Sequence, residues 1–164
     1  MSEGIVVVTE EMRRRYLASA DGADFRYTVA PQLAEQFAAV VGAEEGAGSE
    51  EARRSAGWPP PTLVASLDPF ERKVVPDDGV LAAIPYQPIG GGNAFTDVEY
   101  FAPLPIGEEV SIVYKPTELI EKQGSQGRLV FRNRESEVFA ADGTLVARIR
   151  AGHVMVYDIA RRLR

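Results

Sequence analysis

GWPPPTLVASLDPFERKVV, running from Gly57 to Val75, is the stretch whose reading decides the fold. Its three successive prolines, Pro59 to Pro61, each hold φ near about −65° and exclude helix, so the chain arrives extended and turns at one place. Thr62 offers a hydroxyl for the first helical turn, and Leu63, Val64 and Leu67 fall at helical spacing with Phe70 and Val74. The spacing predicts a buried helix. Pro69 lacks a donor and clashes with the carbonyl four residues back, which predicts a kink or a restart at Asp68. Taken by itself, the segment reads as a core helix with a rigid approach.

The chain around it has 164 residues, enough to bury a real core as one domain without disulfides or metal. Its 45% apolar and 26% charged fractions are ordinary for a soluble globular protein. The sequence has no cysteine, which excludes thiolate metal sites and cysteine nucleophiles and fits a reducing, cytoplasmic setting. The apolar run Ile5 to Val8 is too short for a signal-peptide core or a membrane span. A net charge of −6 argues against a nucleic-acid role, and the arginines of the tail IARRLR are too local to reverse it. The single histidine, His153, leaves little for metal binding or for any scheme that needs two imidazoles.

Before the proline run, TEEMRRRYLA (Thr9 to Ala18) predicts a helix with Thr9 as cap and acids at its positive end. Phe25 to Val29 alternates like a short strand. Pro31 suits the first position of a second helix, with Leu33, Phe37, Val40 and Val41 on one face and Gly42 ending it. Ser49 to Ala56 (SEEARRSA) fits two further helical turns. Beyond the central segment, Pro76 to Gly92 reads as a long irregular excursion, and Gly90-Gly91-Gly92-Asn93 lets backbone approach something closely or simply turns. From there the pattern is β: Phe95 to Phe101, Val110 to Tyr114, Glu118 to Lys122, Arg128 to Ala140 and Thr144 to Tyr157. Asp142-Gly143 is a hairpin signal between the last two. Early helices and a late meander predict an α+β fold whose sheet curls about the apolar helix.

The opening TEEMRRR, the helix LAEQFAAVVG, the segment GWPPPT, then DVEYFAPLPIGEEV and RLVFRNRESEVFAADGTLVARIR follow one another in a familiar order. In that order they resemble the MaoC-like hydratases and dehydratases of the hot-dog fold, and among these the N-terminal, fatty-acid-synthase-like dehydratase branch. GWPPPT is similar to that family's APPTF, and EYFAPLPIGEE to its EYHRPLRVGD. The resemblance implies a curved antiparallel sheet wrapped around a central helix, a single hot-dog domain over residues 1–164, no cofactor and no metal.

Active members carry an aspartate and a histidine in a segment like GDxNPxH. Together they add water across the double bond of an enoyl thioester, or remove it from a 3-hydroxyacyl thioester. Two groups are needed because the water loses a proton while the α-carbon gains one. With Gly42 set on the motif's glycine, Ala43 falls at the aspartate, Glu45 at the asparagine, Gly46 at the proline and Gly48 at the histidine. Neither Ala43 nor Gly48 transfers a proton. Glu44, Glu45 and Glu50 lie nearby, but no histidine precedes His153. In an unbroken strand His153 shares a face with Leu145, Ala147, Ile149 and Met155, while a bulge at Gly152 reverses it. It reads as a satisfied structural histidine rather than a catalytic one.

What the resemblance implies is therefore a subunit with no catalytic residues of its own. It would shape the acyl tunnel of an (R)-specific enoyl-thioester hydratase or 3-hydroxyacyl-thioester dehydratase beside a catalytic hot-dog partner, with Pro61, Thr62, Gly92 and Asn93 bordering the acyl or pantetheine channel. The ligand that the resemblance implies is an acyl-CoA or an acyl-carrier-protein thioester. Two alternatives stand beside it: a hot-dog acyl-CoA thioesterase using Asp68 or Glu71, and a homodimer that binds an acyl thioester without chemistry. Against the former, Asp68 before Pro69 reads as a helix-start residue and Glu71-Arg72-Lys73 as a solvated face.

Overall fold

The computed structural model describes residues 6–40, 61–76 and 78–163, residue 61 in its backbone only. Ser49 to Ala56, Gly42 and the positions aligned with the GDxNPxH segment lie outside the described residues. Helix α1 (Glu10–Ala18) starts as its sequence demands, with the Thr9 side chain accepting from the Met12 amide and Glu10 and Glu11 in the first turn. Strand β1 (Ala23–Thr28) follows, then α2 (Pro31–Val40), which Pro31 opens. The apolar face of α2 is rotated from the expected one. Ala34 and Ala38 are buried, Leu33 and Phe37 pack partly, and Val40 is 85% exposed.

The central segment is helical but short: a 3₁₀ helix over Pro61–Leu67. Asp68 and Pro69 end it, and the chain continues in tight turns with Arg72 N–H donating to the Asp68 carbonyl and Val74 N–H to that of Pro69. Phe70 and Val74 therefore do not extend its apolar face, and Val74 is 49% exposed. Leu63, Val64 and Leu67 are fully buried and pack with Val110, Ile112, Val138 and Ile149. A second apolar cluster gathers Val8, Met12 and Tyr16 against Leu119, Val130 and Tyr157.

Four long strands and β1 make one curved antiparallel sheet in the order β1-β3-β4-β5-β2. The long strands are β2 (Tyr86–Tyr100), β3 (Glu109–Gln123), β4 (Arg128–Phe139) and β5 (Leu145–Arg162). Two expectations are corrected here. The Gly90-Gly91-Gly92-Asn93 run is strand rather than a loose excursion or turn, because β2 begins at Tyr86 and absorbs irregularity as register shifts between Pro88 and Gly90 and between Asn93 and Phe95. A proline and three glycines are tolerated because β2 pairs only with β5 and lies at the edge. Lys115-Pro116 does not separate two strands either; the register shift between Pro116 and Glu118 accommodates the missing amide inside one continuous β3. The Asp142-Gly143 hairpin is as expected, with Gly143 at φ 85° and the Ala140 amide donating to the Thr144 carbonyl.

Candidate functional site

Between the two apolar clusters the inner face of the sheet is polar. On β4 Arg132, Arg134 and Ser136 are in phase with Val130 and Val138, so the two-residue period that buries the valines also turns both guanidinium groups inward. Arg134 has a side chain only 1% exposed, and its Nε donates to Asp68 Oδ2 at 2.7 Å and its Nη2 to Glu71 Oε1 at 2.6 Å. Ser136 Oγ donates to Asp68 Oδ1 at 3.3 Å, as does the Phe70 amide at 3.3 Å. Burial pushes the Asp68 carboxyl up while the Arg134 guanidinium holds it down, and burial is the larger effect. Asp68 is thus a turn-starting residue, as its sequence position indicates, and also one end of a buried ion pair, which its sequence position does not.

His153 stands directly across from Arg132 in the register of β4 and β5, with Gly152 opposite Asn133, so no bulge intervenes and the imidazole keeps the inner face. The histidine is not satisfied as expected: Nδ1 is buried with no hydrogen-bond partner among the described residues. Its ring lies 5.6 Å from that of Phe70, and the Phe70 ring also receives Arg134 Cζ at 4.1 Å and Arg132 Cζ at 4.9 Å. Burial, reinforced by Arg132 and Arg134 and opposed by Glu71, lowers the imidazole pKa. The result is a neutral ring beside two cations.

These groups open onto a cavity of about 420 Å³ whose lining includes Tyr16, Phe70, Glu71, Asp78, Arg132 and His153. Tyr16 reaches it from α1, its hydroxyl donating to the Asn133 carbonyl at 2.8 Å, and burial, with Tyr114 beside it, raises its phenol. Glu71 and His153, far apart in sequence, meet here with Lys73, so Glu71-Arg72-Lys73 is not simply a solvated face. Arg72 stacks over the Tyr27 ring at 3.8 Å. The carboxylates that line the cavity are engaged: Glu71 by Arg134, and Asp78 by the Val80 amide at 2.7 Å and by Arg132 Nη1 at 3.6 Å.

The expected channel residues fall in two places. Pro61 and Thr62 open the 3₁₀ segment, and Thr62 is exposed. Gly92 and Asn93 lie in β2, where the register sets them opposite Val154 and His153. Asn93 thereby occupies the same cross-strand row as His153 and Arg132, while its side-chain amide donates to Thr96 Oγ1 at 2.9 Å. Arg132, Arg134, Phe70 and Tyr16 were missed by the sequence reading. The signal for the arginines was present: RLVFRNRESEVF places polar residues in phase with valines at both ends of one strand.

No family model and no curated protein sequence matches the chain. Solved structures do. The chain is similar to one in the ChsH1-ChsH2 complex from Mycobacterium tuberculosis, with a TM-score of 0.67 at 20% identity over 94% of this chain and 96% of that one. It is similar to a chain of the HadBC (3R-hydroxyacyl-ACP dehydratase) complex from the same organism, with a TM-score of 0.55 at 18% identity over 84% and 98%. A MaoC-like dehydratase from Rhodospirillum rubrum matches with a TM-score of 0.50 at 19% identity over 88% and 94%. The chain has the hot-dog fold that these structures share.

Proposed function

We propose that this chain is a MaoC-like hot-dog unit over residues 1–164 that works beside a second hot-dog subunit, lending walls rather than proton-transfer groups to an (R)-specific enoyl-thioester hydratase or 3-hydroxyacyl-thioester dehydratase. The observation that carries the reading is the state of the acids. Addition of water to an enoyl thioester needs one group to take a proton from water and another to deliver one to the α-carbon. Around His153, both carboxylates of the cavity are already engaged by arginines, Glu71 by Arg134 Nη2 at 2.6 Å and Asp78 by Arg132 Nη1 at 3.6 Å. Asp68 is spent in the same way inside the protein, which also disfavours it as the base of a thioesterase.

The edge of the sheet supports a partner. Strand β2 is 15 residues long, pairs on one side only, and exposes Ile89, Phe95 and Tyr100, with Phe101 just beyond it. A long unpaired edge with apolar side chains is a template for pairing. Two of the similar structures are themselves complexes by their names, ChsH1-ChsH2 and HadBC. In such a pair Gly92 and Asn93 on β2, with Pro61 and Thr62 at the mouth of the 3₁₀ segment, border the channel for an acyl-CoA or acyl-carrier-protein thioester.

A second reading is favoured by one fact, that Glu71 and His153 line one cavity. On that reading the two residues are themselves the acid and base. The experiment that separates the readings is hydration of crotonyl-CoA by the chain alone and mixed with a hot-dog subunit that carries an intact GDxNPxH-like segment. Stable assembly with turnover only in the mixture supports the proposal. No assembly with such a subunit counts against it.

A further inference from the structure

The turn that follows the 3₁₀ helix has two sides. Phe70, Glu71 and Lys73 face the cavity at His153, whereas Pro69, Arg72 and Val74 line a second hollow, of about 150 Å³, beside β1. Buried Leu67 and Ile112 form its base with Pro69, the partly buried Phe25 stands against them, and Val74 is left half-exposed at the rim. The two-residue period of β1 brings Phe25 and Tyr27 to this inner side and sends Asp24, Arg26 and Thr28 outward.

Charge decides what the hollow accepts. No carboxylate lines it among the described residues, and its charged lining groups are both arginines. Arg26 is already matched, by Glu109 at 3.2 Å and Asp24 at 3.6 Å. Arg72 is not: its guanidinium is exposed, lies over the Tyr27 ring with Cζ 3.8 Å from the centroid, and has no hydrogen-bond or ion-pair partner among the described residues. Stacking on a ring restrains a guanidinium and leaves its N–H edge free for a planar acceptor with two oxygens. An apolar hollow of this size holds a hydrocarbon of about six carbons. One restrained cation at the mouth of such a hollow matches a molecule that is a carboxylate at one end and hydrocarbon at the other. A phosphate monoester would set about two negative charges against one positive.

We infer that this hollow is a binding site for a free short-chain monocarboxylate, whose two oxygens accept from the edge of the Arg72 guanidinium and whose hydrocarbon lies against Phe25, Pro69 and Val74. Arg72 is the contact residue for the charged end. Tyr27 is a positioning residue, holding the guanidinium plane. The site lies on the opposite side of the turn from His153, so it stands or falls without the function proposed above.

Calorimetric titration of the full chain with acetate, butyrate, hexanoate, hexanamide and hexyl phosphate tests the site. Hexanoate should bind saturably, with affinity rising about fourfold per methylene from acetate. Hexanamide, which has the same shape without the charge, should bind at least about tenfold more weakly. Arg72→Gln should bring hexanoate down to the level of hexanamide, and Arg72→Lys, which keeps the charge and loses the fork, should fall between the two. Arg72 is exposed, so neither variant disturbs the core. No saturable binding of hexanoate, equal affinity for hexanoate and hexanamide, tighter binding of hexyl phosphate, or binding unaltered in Arg72→Gln overturns the inference. So does binding that disappears in His153→Gln, which would put the acid in the other cavity. The ligand series on the unaltered chain decides the matter even where a variant fails to fold.

Discussion

Strands β4 and β5 present two successive stretches of one face to the interior: at Val138, Ala147 and Ile149 the face is hydrocarbon, and at Arg134, Arg132 and His153 it is polar. Both stretches obey the same alternation, and both are covered from above by the one segment, Leu63 to Leu67 over the first and Asp68 to Glu71 over the second. The apolar stretch needs no further explanation than burial, since hydrocarbon removed from water is worth about 25 cal/mol per Å². The polar stretch does, because desolvating two charges costs several kcal/mol and hydrophobic residues of similar volume often serve stability as well or better. A fold that keeps arginines there is spending stability on something else, and the cavity beside them is the obvious use.

That comparison breaks most sharply at Arg134. Arg134→Ala leaves Asp68 buried without its partner and is expected to cost about 3–5 kcal/mol in denaturant unfolding. The double variant Arg134→Met with Asp68→Leu, which removes both charges, should recover at least about 2 kcal/mol of that loss. No recovery would make the ion pair a structural necessity. In the hydrocarbon stretch, Leu63→Ala should cost about 3 kcal/mol with no change in ligand binding, a pure cavity effect checked by the same unfolding curves.

The smallest expected effect is a pH dependence. Burial and the neighbouring Arg132 and Arg134 hold the His153 pKa below its ordinary value of 6.5, while Glu71 pulls the other way. The unfolded chain then binds more protons than the folded one just below pH 6.5, so stability is at its full value above that pH and is lost as pH falls towards the folded pKa. In His153→Phe this component of the slope should vanish. An unchanged slope would mean that the imidazole sits in water rather than in the patch.

The sequence made the strands legible and left the site obscure, for a reason visible in particular residues. Thr9, Pro31 and Asp142-Gly143 act on backbone within a few residues of themselves, so local chemistry announces them. The glycine-rich start of β2 misled because its β character comes from pairing with β5, a partner more than fifty residues away in the chain, and not from its own side chains. The central helix was shortened by Pro69, whose effect was anticipated, but the 3₁₀ form of Pro61–Leu67 has no signature in the residues themselves. His153 could be placed on its face by parity alone. What parity could not supply was its neighbourhood: Arg132 opposite it, and Phe70 above and Glu71 beside it, come from two other segments far away in the chain.

The central claim is that the polar stretch lends walls while the chemistry is supplied by a neighbour. Its most direct test is the loss of enoyl absorbance from crotonyl-CoA with the purified chain alone, beside Glu71→Gln and His153→Gln variants. No turnover above the uncatalysed rate is expected for any of the three. Robust turnover by the unaltered chain that disappears in either variant would contradict the claim and install Glu71 and His153 as the acid and base.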